Sequence, residues 1–341
     1  LIGGEVVSTF LDRGWSVTAI ARAENDDAAG RRIRERLAKS HKKASSLDRL
    51  TCLAGSVTEP DLGLDPRVFE GVSTILHAAG ETAFNNDVQC WNTNVGAAEK
   101  LVELVRRQKA RPRLFFMSTA SVVMTPTHGV VTEEMPFGGY DNGYTRSKRQ
   151  AERVIAESGL GAVILRPTIV FSRGVEDRKM ARAMLWVIPA MMELGSAPVE
   201  GESRLDIAPV DYVAHATELL LRKPRLSHSL YHISAGEKAS ISCHEIQETV
   251  SRDYPRANAV ALVGGSSRKK PGKRPSLLER RLEESISYYV PFMSADIVYS
   301  DERMRKELGP ELGECPPVTD YLVSLLGQFE FQEGIEESAK P

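Results

Sequence analysis

Cysteine is scarce in this sequence: there are four in 341 residues, at Cys52, Cys90, Cys243 and Cys315, with no CxxC pair. The scatter excludes a disulfide framework and the spacings of a metal site, and it fits the reduced thiols of a cytoplasmic protein. An excess of one charge is also lacking. Against 46 Asp and Glu stand 44 Lys and Arg, a net charge of −2 with a pI near 6.5, so no global field points to nucleic acid or a membrane surface. No apolar run approaches the ~20 residues that cross a bilayer. No signal peptide or internal repeat is visible. Missing, too, are the strand and glycine-rich turn that open a doubly wound fold.

What is present is ordinary globular material, 42% hydrophobic and 26% charged. The length suffices for one large α/β domain with a smaller one appended. The most informative stretch holds Tyr144 and Lys148, four apart at the start of a run that reads as helix, which stacks them on one face. An ammonium beside a phenol favours the phenolate and lowers its pKa, which suits a proton donor to a carbonyl oxygen. Upstream, residues 114–123 read as a buried parallel strand ending in hydroxyls, at the edge where α/β sheets bind ligands. Thr119 lies 25 residues before Tyr144 (144 − 119), room for a loop that brings the two hydroxyls together.

Around this centre, residues 1–14 read as a helix stopped by Gly14, and 15–21 as a strand. Gly3 reads as the last glycine of a dinucleotide fingerprint whose earlier part precedes the sequence. At the strand end, Arg22 suits a 2′-phosphate, so NADP (NADPH) is expected, although Glu24, Asp26 and Asp27 follow closely. Residues 28–43 form a basic helix with Ile33 and Leu37 inward. It is either a solvated face, or Arg32 joins Arg22 at the phosphate. Further strands are expected at 50–57 and 72–80, the latter ending in Ala78, Ala79 and Gly80, small enough for close cofactor approach. His77 reads as a core histidine. Asn94, before the helix through 105, is expected to tie neighbouring strands. Residues 162–171 form a strand broken at Arg166 and Pro167. The apolar, Met-rich segment 180–194 reads as core, with a share in an acyl pocket open. A helix at 209–221, a strand at 229–234, a capping box from Ser242 to Glu245, and a helix from about 276 to 288 follow. Between them, 266–275 is a basic loop, solvated or facing an acidic carrier or coenzyme phosphates. The tail is expected to be frayed.

Thr119, Tyr144 and Lys148 together resemble the catalytic triad of the extended short-chain dehydrogenase/reductase superfamily. Ala21–Ala23, Arg32, Ile33, Leu37, Val57, 62–64, 77–79, Asn94, Val95, Ser118, 165–167 and 209–213 are similar to the thioester reductase branch. That branch includes terminal reductase domains of nonribosomal peptide synthetases and carboxylic acid reductases, with fatty acyl-CoA reductases as relatives. The resemblance, over roughly residues 1–235, implies a doubly wound parallel sheet (Rossmann-type α/β) with a smaller C-terminal substrate-binding subdomain. Its nucleotide-binding part would be 1–175 and 205–235, its substrate part 176–204 and 236–328, and its tail 329–341. The catalytic set would be Thr119, Tyr144 and Lys148. Gly3, Arg22, Arg32, Ser56, Val57, Ala78, Ala79, Gly80, Asn94, Tyr144, Lys148, Pro167, Thr168 and Ile169 would meet the cofactor, and no metal is implied. Ser56 departs from the family pattern, which has Asp there.

The resemblance implies NADPH-dependent reduction of an acyl thioester, on coenzyme A or an acyl carrier protein, to an aldehyde or on to the alcohol. An alcohol/ketone dehydrogenase or nucleotide-sugar epimerase shares the triad, and a non-catalytic NADP-binding protein shares the fold. A homodimer through a helical face is left open.

Overall fold

The computed structural model describes residues 1–40, 47–84, 86–124, 128–173, 185–264 and 275–327. The expected basic loop at 266–275 and the tail at 329–341 therefore lie largely or wholly outside the described residues. So do positions 180–184 of the Met-rich segment.

The chain opens on helix α1 (Ile2–Asp12), which buries Val6, Phe10 and Leu11 on one face. Gly14 ends it at φ +86°, with its N–H returned to the carbonyl of Leu11. Strand β1 (Val17–Ala21) pairs in parallel with β2 (Leu50–Ala54), and α2 (Asp26–Ala38) crosses between them. Asn25 starts α2 by accepting from the N–H of Ala28 at 2.9 Å. The helix is shorter than its basic pattern suggests, and Ala29, Gly30 and Leu37 are its buried residues, with Ile33 half-buried.

Beyond it come β3 (Thr74–His77), the short α3 (Asp87–Cys90), a π-turn at Trp91–Val95, and α4 (Gly96–Arg107). Then follow β4 (Arg113–Met117), β5 (Gly129–Val131), α5 (Gly143–Ala156), β6 (Val163–Pro167) and β7 (Ile169–Phe171). A parallel four-stranded sheet runs in the order strand Leu230–Ile233, β6, β4, β3. Period-two alternation divides its side chains between two cores. Phe115, Met117, Val163, Leu165, Tyr231 and Ile233 join α1 and helix Val210–Arg222 on one face. Leu114, Phe116 and Ile164 join α4 and α5 on the other. Truncating Phe115, which is fully buried, is expected to cost about 3–5 kcal/mol.

The doubly wound plan is thus present, with one difference from a single continuous sheet. Among the described residues, β1–β2 and the four-stranded sheet are separate hydrogen-bonded units. Even so, Val17 and Leu76 pack into one core, and Ile20 and Ile75 into the other, so β1 and β3 serve the same two layers. No described strand lies between them to join their ladders.

The strand expected at 162–171 breaks after Pro167: β6 stays in the main sheet, whereas β7 pairs with strand Ile207–Pro209. A third apolar cluster gathers Leu185 to Met191, Ala197 to Ile207, Ile241 to Val260, Leu282 and Ile286, and Val318 to Leu326. Helix Val187–Leu194 belongs to it, its Pro189 falling in the first turn, where a missing N–H costs no helical hydrogen bond. The segment holding Met304, Leu308, Leu312 and Cys315 instead packs into the core beneath the main sheet.

Candidate active site

The strand expected to run to Val123 ends at Met117, and the backbone then turns through a 3₁₀ helix at Ala120–Val122. That turn leaves Ser118 and Thr119 at the carboxyl edge of β4. Thr119 opens it, accepting from the N–H of Ser121 at 3.3 Å. Across the edge stands α5, whose capping box pairs Asn142 with Thr145 in both directions. Its second residue is Tyr144, whose hydroxyl lies near enough to that of Thr119 for the threonine to oppose the rise of the phenol's pKa. Lys148, one turn on and 5% exposed, donates to the carbonyl of Met117 at 2.9 Å and lies 5.1 Å from the Phe116 ring centre. The three residues singled out from sequence therefore meet at one strand end.

The electrostatics differ from expectation. By spacing alone Lys148 should lower the Tyr144 phenol, yet burial pushes that phenol up to about 12, against the opposing effect of the Thr119 hydroxyl. The ammonium is turned to the Met117 carbonyl and is itself pushed down to about 8 by burial, which the Glu152 carboxylate opposes. Tyr144 is thus held protonated, which is the state needed to give up a proton.

Several contacts fix α5 in place. Glu152 and Arg166 form a buried pair, Nε donating to the two carboxylate oxygens at 3.0 and 3.1 Å and Nη2 to one at 2.6 Å. Arg149 donates to the carbonyls of Val122 and Gly138 at 2.9 and 2.8 Å, tying the helix to the turn that carries Thr119. Gly143 allows α3 to approach closely, since a Cβ there would lie 2.8 Å from the Asp87 Cα. Sequence reasoning missed these supports. A charged residue within an apolar strand (Arg166), and Glu152 four residues after Lys148, were the available signals.

The cofactor candidates fall into groups. Ala78, Ala79 and Gly80 follow the carboxyl end of β3, the last two exposed. A Cβ on Gly80 would lie 3.0 Å from Asn94 Oδ1 and 3.5 Å from Lys148 Nζ, so that only glycine leaves this corner clear. Gly3 lies in the first turn of α1 with open space beside it. Pro167 ends β6, Thr168 follows it, and Ile169 begins β7. Ser118 and Ser234, past the ends of β4 and of strand Leu230–Ile233, are buried with hydroxyls that have no partner among the described residues. Thr168, past the end of the strand between those two, is buried as well. Buried polar groups without partners cost free energy, and hydroxyls set along this edge fit a polar, extended ligand such as a dinucleotide. Arg22 is exposed just past β1, and the Arg32 guanidinium donates to its backbone carbonyl at 2.9 Å, which brings the Arg32 cation to the end of that strand.

Three candidates are occupied locally. The Ser56 hydroxyl pairs with that of Thr58 at 2.8 Å, and Val57 packs against the core shared by α4 and α5. Asn94 ties a loop to a helix rather than strand to strand: its amide accepts from the N–H of Glu81 and donates to the Glu81 carbonyl and the Ser147 hydroxyl. His77 is a core residue, stacked 5.3 Å from Phe116 and pushed down to about 3 by burial. No cluster of three or more His, Cys, Asp or Glu suited to a metal occurs among the described residues. No helix among them is long and apolar enough to cross a membrane.

Residues 1–217 match the NAD-binding family described as male sterility protein. Over 193 residues the sequence is 29% identical to the hybrid PKS-NRPS synthetase pvhA of Talaromyces variabilis, covering 53% of this chain and 5% of that protein. Over 248 residues it is 27% identical to the isonitrile lipopeptide synthase of Mycobacterium tuberculosis, covering 62% of this chain and 10% of that one. The chain thus matches a small fraction of the length of these relatives. Among solved structures, the terminal R domain of the myxalamid PKS-NRPS pathway superposes with a TM-score of 0.75 at 21% identity, over 96% of this chain and 87% of that one. A thiolation-reductase di-domain from an archaeal nonribosomal peptide synthetase gives 0.76 at 19%, over 98% and 74%. UDP-glucuronic acid 4-epimerase from Bacillus cereus, in complex with NAD, gives 0.66 at 14%, over 100% and 97%. At these identities the likeness is one of fold.

Proposed function

The chain belongs to the NAD-binding male sterility protein family, and we propose that it reduces an acyl thioester to an aldehyde with NADPH. The observation that carries this reading is the Thr119–Tyr144 hydroxyl pair at the carboxyl edge of β4, with Lys148 one turn beneath it. NADPH, when bound, supplies the hydride.

The two hydroxyls are placed to donate to a thioester carbonyl oxygen, and they oppose the negative charge that grows on it as the carbon becomes tetrahedral. Tyr144 then passes its proton to that oxygen, giving a hemithioacetal. Collapse breaks the carbon–sulfur bond, so that aldehyde and free thiol leave. Lys148, whose ammonium meets the Met117 carbonyl at the same strand end, would hold a ribose hydroxyl of the nucleotide. Ala78, Ala79 and Gly80 leave room for the nucleotide backbone, and the partnerless hydroxyls of Ser118 and Ser234 offer it hydrogen bonds. Arg22 and Arg32 favour the 2′-phosphate of NADPH over the bare ribose of NADH. The reductase domains among its structural neighbours, one of them joined to a thiolation domain, support a substrate carried on a pantetheine thiol.

A second reading draws on the epimerase-like fold: reversible oxidation of an alcohol or sugar. The two are separated by following NADPH loss with acyl-coenzyme A thioesters and ketones, and in parallel the formation of reduced nucleotide from NAD or NADP with alcohols and nucleotide sugars. Turnover with thioesters and release of thiol is expected. Turnover confined to ketones or sugars would replace thioester reduction with the second reading.

A further inference from the structure

Phe84 stands in the loop after β3, apart from the catalytic and cofactor motifs. The loop is folded by Glu81, whose carboxylate accepts from the N–H groups of Thr82 and Ala83 at 2.9 and 3.1 Å and from the Gln89 amide at 2.8 Å. So held, the Phe84 ring lies 5.9 Å from that of Tyr144, tilted by 56°. Its other contacts come from the far end of the chain. Phe292 stacks on it at 5.2 Å and 19°, and Tyr289 meets it edge-on at 5.3 Å. The wall continues through Tyr140, edge-on to Phe292 at 5.4 Å, and Trp186, edge-on to Tyr289 at 5.7 Å. Phe84, Tyr289 and Phe292 are all half-buried.

An aromatic surface that begins at the catalytic phenol and extends into the C-terminal region lies where the group attached to a reacting carbonyl must go. We propose that this wall binds the acyl group, that the preferred substrates are apolar acyl thioesters (alkyl or aryl), and that Phe84 and Phe292 set the choice. The proposal rests on the thioester-reductase reading and names its substrate class. An alkyl or aryl group laid against these rings loses water-exposed apolar area, and an aryl group also gains ring stacking. A carboxylate there loses its hydration, finds no cationic partner among these rings, and meets the negative faces of the aromatics.

The test uses three thioesters of N-acetylcysteamine, with hexanoyl, phenylacetyl and succinyl groups, and the three aldehydes bearing the same side chains. Wild type is expected to favour hexanoyl and phenylacetyl over succinyl by about tenfold or more in kcat/KM. Phe292→Ala should lose most of the phenylacetyl preference while its succinyl rate changes little, and Phe84→Ala should do the same. Phe292→Leu, which keeps apolar bulk, should restore hexanoyl but not phenylacetyl. A uniform fall across the series in all variants would mark the rings as merely structural and overturn the proposal, as would equal use of succinyl by wild type. If thioesters are inert but the aldehydes show the same selectivity and the same shifts, the wall stands and thioester reduction falls. Failure of both series overturns both.

Discussion

The carboxyl edge of the main sheet and the aromatic wall beside it meet at Tyr144 and follow opposite chemical plans. The edge collects polar groups that burial penalises: an ammonium pushed down to about 8, a phenol pushed up to about 12, and the partnerless hydroxyls of Ser118 and Ser234. The wall collects rings that satisfy one another. A surface that keeps unsatisfied donors at a cost is prepared for a polar ligand, whereas one made of mutually packed rings suits a partner with nothing to hydrogen-bond. In the proposed reaction the first serves nucleotide and carbonyl oxygen, and the second serves the acyl chain.

Substitutions that touch one region and spare the other sharpen this contrast. The largest effect is expected at the edge: Tyr144→Phe should lower kcat by about a hundredfold or more while NADPH binding, followed by fluorescence titration, stays close to wild type. Next is Arg166→Leu, which leaves Glu152 buried without its partner. Chemical denaturation should show a loss of about 3–5 kcal/mol, and an unchanged midpoint would remove the pair as a support for α5.

The pH dependence follows in size. Both Lys148 and Tyr144 must be protonated for reduction, so kcat/KM in the free protein should fall as pH rises through about 8, where Lys148 loses its proton. Glu152→Gln removes a cause that raises Lys148, and should move that break to lower pH. A break unmoved by this change would separate it from Lys148. Last, and absent at neutral pH, is an effect on stability alone. Folding holds His77 near 3, below its ordinary 6.5. The unfolded chain therefore binds the extra proton between those values, and stability falls as pH drops through that window. His77→Phe should flatten this acid slope by up to about 1.4 kcal/mol per pH unit, as read by urea titrations at several pH values.

Much of the edge was legible in the sequence because its signals are local. Tyr144 and Lys148 are one helical turn apart, Thr119 ends an apolar strand, and 78–80 are small residues where a strand stops. The balance of forces on Tyr144 was not legible, because whether an ammonium or burial dominates depends on where the Lys148 side chain turns, here to a backbone carbonyl of another strand. The supports of α5 escaped for a similar reason: Arg149 reaches Val122, and Glu152 reaches Arg166 in another element. The wall was the least visible. Phe84 and Phe292 are 208 positions apart (292 − 84), and neither lies in a periodic pattern that would single it out.

Thioester reduction at Tyr144 is tested most directly by a stoichiometry: NADPH consumed against thiol released, with hexanoyl-coenzyme A as substrate and the Tyr144→Phe variant as control. The expected result is one thiol per NADPH where the product is aldehyde, or one per two where reduction runs on to alcohol, with both signals lost in the variant. NADPH consumption without thiol release, or a variant that releases thiol at the wild-type rate, would rule out thioester reduction by this site.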